Sequence, residues 1–171
     1  MADEPSDEAL MRILQFDAEE LERNRQGMLS LQQRLRLFSQ IDQPLLALVL
    51  LAPLGIVIQL REPQSVQSVV NILVLIALVV IVATFSRKSI RLLLDIVTGQ
   101  VSEASGTITV RIYRFDRRTF AGMLGTQYAN GTIGSESFIV PVALAESFQG
   151  KSLRVFYTPR YRQAVSGHIL P

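Results

Sequence analysis

The sequence predicts a membrane α-helical hairpin followed by a small all-β C-terminal domain of the OB- or SH3-like barrel kind, with an N-terminal amphipathic helix in front. Three observations lead there. Apolar residues make up 49% of the 171 positions, and they crowd into the stretch 45–85 instead of spreading over a globular core. From Gln100 onward apolar and polar residues alternate, the period of strands. Ahead of the apolar stretch, leucines recur at helical spacing. The chain therefore divides into an N-terminal helical region 1–40, two spans within 41–86, a post-membrane helix 87–98 and a β-barrel domain 99–171.

The first expected span is LLALVLLAPLGIVIQL, 45–60, extended to about residue 44 by Pro44, which suits a first helical turn. At 1.5 Å per residue the sixteen-residue run reaches about 24 Å, and Pro53 with Gly55 predicts a kink. The second, VVNILVLIALVVIVATF at 69–85, carries no charge and extends from about 66 to 86. A buried hairpin in a water-soluble core is the competing reading, disfavoured because the rest of the chain is small and polar. REPQS, 61–65, suffices only for a tight turn, so the spans run antiparallel. Arg34 and Arg36 precede the first span, and Arg87, Lys88 and Arg91 follow the second. By the positive-inside rule these five residues set the topology, with both termini cytoplasmic in a multi-pass inner-membrane protein. The first apolar run begins only after about 40 residues, so no cleavable leader is expected.

Charge changes sign along the chain. Residues 1–40 carry eight acids against five arginines, whereas residues 86–171 carry eleven Lys and Arg against five acids. The N-terminal segment has a heptad seam of Leu14, Leu21, Met28 and Leu35, with a companion seam of Leu10, Asp17, Asn24, Leu31 and Phe38. Two readings stay open for residues 10–38: a coiled-coil-like helix for self-association or a protein partner, or an amphipathic helix lying on the membrane or on the chain's own C-terminal domain. In 87–98 the residues Ile90, Leu93, Leu94 and Val97 form an apolar stripe, and Gly99 is expected to stop the helix. Beyond it, strands are expected at 107–115, at SFIVPV, at SLRVFYT and at QAVSGHIL. Asn130–Gly131 is expected to form a hairpin turn, and 158–162 a second turn.

The layout and the run Arg154-Val155-Phe156-Tyr157-Thr158-Pro159 carry a resemblance over residues 45–171. The chain resembles uncharacterised bacterial two-span membrane proteins whose cytoplasmic barrel ends in an arginine–valine–tyrosine–tyrosine–threonine–proline strand, and in general plan it is similar to NfeD-like membrane proteins. Phe156 departs from that run. Where the family's last strand ends serine–isoleucine–glutamate, this chain has Ser166-Gly167-His168-Ile169. The resemblance implies a two-span anchor with a barrel, and no catalytic motif.

Chemistry-bearing constellations are sparse. There is no cysteine and a single histidine, His168, so a metal site would need several carboxylates that do not cluster in the sequence. Ser135, Ser137, Ser147 and Ser152 lack a base motif, and the glycine-rich 122–134 stretch lacks a Walker lysine. Glu136 and Glu146 have no evident partner, and Asp116 sits among arginines. No cofactor and no enzymatic activity are expected. Arg114, Arg117 and Arg118 fall at one expected turn, and Arg160 and Arg162 at another. They read as solvated turn residues, as headgroup or partner contacts, or, least favoured, as part of a nucleic-acid surface with Tyr113, Tyr157 and Tyr161. The expected function is an integral membrane anchor or scaffold presenting its β domain and N-terminal helix to a protein partner. The alternative is a subunit of an oligomeric membrane assembly or channel, although the bulky second span counts against a pore. The expected partners are the lipid bilayer and a protein contact through 10–38.

Overall fold

Residues 6–40 are cut into short helices by their own capping signals. The protein is described by a computed structural model covering residues 6–41, 47, 57, 66–114 and 127–171. Helix α1 (Asp7–Leu14) starts at Ser6, whose hydroxyl accepts the Ala9 N–H, and ends at Gln15 in the left-handed region (φ 57°). Asp17 opens α2 (Ala18–Arg25) and Ser30 opens α3 (Leu31–Phe38), each with a full capping box, to Glu20 and to Gln33. Such boxes satisfy orphan N–H groups and fix where a helix begins. The single heptad-bearing helix is thereby corrected to three helices of eight residues. Asp17 is a cap, not a seam position, and Asn24 is buried with its amide donating to the Ser166 hydroxyl.

These helices dock on the C-terminal part of the chain. Leu10 and Leu14 of α1 are buried in the common core. Residues 27–29 run beside 99–101, with Leu29 N–H donating to Gly99 O, Val101 N–H donating to Gly27 O, and Met28 bridged to Gln100.

Helix α4 (Val66–Phe85) is followed after Ser86 by α5 (Arg87–Thr98), which ends at Gly99 in the left-handed conformation (φ 64°). The two-span hairpin is overturned here: among the described residues no helix is long and apolar enough to cross a membrane. Helix α4 carries Gln67, Ser68, Asn71 and Thr84 among its twenty residues. The first expected span, about 44–60, and the REPQS turn lie outside the described residues, apart from Ala47 and Val57. The multi-pass inner-membrane placement, the cytoplasmic assignment of both termini and the two-pass anchor are corrected with it.

Six strands follow: β1 (Ser102–Thr107), β2 (Thr109–Arg114), β3 (Gln127–Ile133), β4 (Glu136–Val140), and, after helix α6 (Val142–Phe148), β5 (Ser152–Tyr157) and β6 (Ala164–Ile169). They do not form the expected single barrel. They make two antiparallel three-stranded sheets, β1-β5-β6 and β2-β3-β4. Ile108 is the corner between the sheets: its side chain is fully buried, its N–H donates to Lys151 O, and its carbonyl accepts from Gly150. The expected continuous strand from residue 107 is therefore broken one residue in. Asn130–Gly131 is not a turn. Gly131 lies in mid-β3 opposite Phe138, where a Cβ would come within 2.9 Å of the Phe138 ring. The hairpin turns instead at Gly134 (φ 58°) and Ser135. Between the sheets and under α6 sits the core of Ile108, Phe138, Leu144, Phe148, Leu153 and Val155.

Candidate interaction surface

The apolar stripe expected on α5 is split: Ile90 and Leu93 pack half-buried against the core, whereas Leu94 and Val97 turn outward. Helix α5 buries Ser89, Leu92 and Asp95, while Leu94 and Val97 are 45% and 70% exposed. Asp95 explains the rotation. Its buried carboxylate accepts the backbone N–H of Arg160 at 3.1 Å and of Tyr161 at 2.7 Å, and its Oδ1 lies 3.6 Å from the Arg160 guanidinium. Those bonds clamp the polar side of α5 to the turn after β5. Helix α3, in contact with α5, does the same: Gln33 and Leu37 are buried, whereas Leu31 and Leu35 are 68% and 62% exposed and Phe38 is also open.

Helix α4 extends this surface. No residue from Val66 to Phe85 is charged. Leu73 and Val74 are 60% and 63% exposed, and Val70, Ile76, Ala77, Val80 and Thr84 are exposed with them. At 100° per residue these positions fall within an arc of roughly 160°. Leu73, Ile76 and Val80 follow one another at three- and four-residue steps, the spacing of a helix–helix seam.

The structure disperses the arginines singled out in the sequence. Arg36 forms an ion pair with the buried Glu20 at 2.5 Å. Glu20 also accepts from the Ser30 hydroxyl at 2.7 Å and caps the Asp17 N–H, so its carboxylate ties α2 to α3. The Arg34 guanidinium lies over Gly99, where any Cβ would collide with it, and so sits at the carbonyl end of α5. Both are structural ties. Arg87, Lys88 and Arg91 are exposed at the start of α5. Arg114 ends β2, and Arg117 and Arg118 lie outside the described residues.

Arg160 and Arg162 share a turn but serve different partners. Arg160 reaches the end of α5, its guanidinium donating to the Thr98 hydroxyl at 3.2 Å. Arg162, in the left-handed region (φ 63°), pairs with Glu136 of the other sheet and lies 5.7 Å from the Tyr157 ring centroid. The Tyr157 hydroxyl donates to the same Glu136 oxygen at 3.1 Å, and its ring stacks on Phe138. Glu136 thus has the partners its sequence context does not reveal. The Arg162 hydrogen bond, then the Tyr157 phenol, hold its carboxyl below the usual range. Burial first, then the bond to Glu136, pushes the Tyr157 phenol up. Glu136, Tyr157 and Arg162 make a latch between the sheets.

His168 lies on β6 opposite Arg154, its ring 6.4 Å from that of Phe156. Burial, then the charges of Arg25 and Arg154, lower its pKa, with Asp7 and Glu103 opposing. Its Nδ1 is buried without a hydrogen-bond partner among the described residues, and no group of three or more His, Cys, Asp or Glu there could hold a metal ion. Sequence reasoning missed Glu20 and Asp95. The Asp17-Ala18-Glu19-Glu20 capping signal could have placed the first, but nothing local marks the second. No family model, curated protein or solved structure matches the chain.

Proposed function

We propose that this chain is a non-catalytic scaffold subunit that assembles with a second copy of itself, α4 packing against α4, and displays the N-terminal helices and the two sheets around that contact. The observation that carries this reading is the exposed, uncharged arc of α4, with Leu73, Ile76 and Val80 at seam spacing. An apolar face of this kind needs a cover of matching length and chemistry, and an isologous contact supplies one without a second gene product. The exposed Leu94 and Val97 of α5 continue the apolar surface beyond α4. The carboxylates of Glu20, Asp95 and Glu136 are all engaged in structural bonds, which supports binding over catalysis.

The test is the mass of the purified full chain by sedimentation and native mass spectrometry, with and without Ile76→Glu combined with Val80→Glu. The expected result is an oligomer for the parent chain and a folded single copy for the variant. A single copy in both cases would overturn the reading. So would association with lipid vesicles in place of self-association, or crosslinking in cells to other proteins only.

A further inference from the structure

Among the described residues, the outer face of the β2-β3-β4 sheet is the other large surface without a cover, and its chemistry is opposite to that of α4. The sheet is one-sided: Ala129, Ile133, Phe138 and Val140 point into the core, and α6 packs against β2 and β3. Alternation sends the intervening side chains outward. Thr109, Arg111 and Tyr113 of β2, Asn130 and Thr132 of β3 and Ser137 of β4 line a shallow cleft of about 370 Å³. Register places Arg111 opposite Asn130, and Thr132 between Thr109 and Ser137. Among the described residues, the lining holds one cation, one aromatic ring and four hydroxyl or amide side chains, and no carboxylate. Tyr113 is 43% exposed.

We propose that this face binds single-stranded nucleic acid. Arg111 neutralises a backbone phosphate and the Tyr113 ring stacks a base. The Asn130 amide and the threonine and serine hydroxyls bond base edges and sugar. Charge selects an anion, because the described lining has a cation and no acid. The ring and the amide then select among anions. A lipid surface would be met by apolar side chains beside the cation, and this face has hydroxyls there. A neutral sugar would leave the arginine without a counter-charge. Arg111 and Tyr113 stand about 7 Å apart along one strand, so a phosphate and a stacked base can be held together. Sequence alone spreads the candidate rings over Tyr113, Tyr157 and Tyr161. The structure buries Tyr157 in the latch and half-buries Tyr161, leaving Tyr113 with the arginine.

Fluorescence anisotropy of the full chain with short labelled DNA and RNA single strands tests this. Tyr113→Ala is expected to weaken binding about tenfold, with Tyr113→Phe retaining it. Arg111→Gln is expected to lower the slope of log K against log salt by about 0.7, and Lys88→Gln, exposed at the start of α5, to change neither. Circular dichroism and thermal melting confirm that each variant is folded. Absence of oligonucleotide binding overturns the proposal, as does binding that both face variants leave intact. Capture by anionic vesicles with no oligonucleotide bound overturns it too. None of these results bears on self-association through α4.

Discussion

Helices α1 and α3 are both eight residues long, both capped by serine and both amphipathic, yet one is sealed and the other open. Helix α1 inserts Leu10, fully buried, against β6, and the Asp7 carboxylate accepts the Ile169 N–H at 2.8 Å. Helix α3 presents Leu31, Leu35 and Phe38 outward and is held from its other side by Gln33, whose amide donates to Val165 O, and by Arg36. The difference comes from the receiving surface. Gly167 leaves a dent in β6 where a Cβ would lie 2.8 Å from Arg154 O and 3.5 Å from Leu10 Cδ2. Among the described residues nothing comparable receives the outer side of α3. An apolar face reports that a cover is needed, and the complementary surface decides whether the chain itself supplies it.

The largest expected effect separates the two helices directly. Leu10→Ala should cost about 2–5 kcal/mol in urea unfolding, the range for emptying a packed leucine site, while Leu35→Ala should stay within about 0.5 kcal/mol. Equal losses would erase the distinction. Gly167→Ala comes next. The added methyl meets backbone on one side and Leu10 on the other, so a loss of about 1–3 kcal/mol is expected. Hydrogen exchange should show it concentrated in α1. Uniform loosening of α1 and α3 would argue that the dent is not what seats α1.

The smallest effect is a pH dependence at the same seam. His168 faces Asp7 of α1, Arg25 of α2, Arg154 of β5 and Glu103 of β1, and its pKa is lowered in the fold. The neutral ring is therefore favoured when folded. Its contribution is present above the ordinary value of about 6.5 and lost as pH falls through the folded value. Melting temperature should drop across that window in the parent chain and stay flatter in His168→Gln. Glu136, also lowered, adds a later loss below the ordinary carboxylate range. A parent profile as flat as the variant's would remove His168 from the seam.

Local chemistry was legible where a signal acts within a few residues. Gly99 ends α5. Strands β5 and β6 fall where alternation predicts them, with the turn at 158–162 between. The stops inside 1–40 were equally local, in Ser6, Asp17-Glu20 and Ser30-Gln33, but the heptad spacing of leucines masked them. Of the candidate surface, the apolar length of α4 and the stripe on α5 were visible, while the outward turn of Leu94 and Val97 was not. Asn130–Gly131 shows the limit most plainly. The dipeptide is a turn signal by local propensity, yet Phe138 and Ile108 need a residue without a side chain at that point of β3.

By itself the sequence determined periodicity, caps and charge, because those depend on neighbours a few positions away. It determined that the stretch 66–85 is uncharged and that the chain has no cysteine. Tertiary structure alone decided which faces are covered. The Asp95 carboxylate meets the Arg160 and Tyr161 N–H groups some 65 residues later in the chain. Glu136 meets Tyr157 and Arg162 across two sheets. Leu10 meets Gly167 across nearly the whole chain. A buried carboxylate must find its donors and a leucine its dent wherever the fold brings them, and that requirement left Leu94 and Val97 of α5 outside the core.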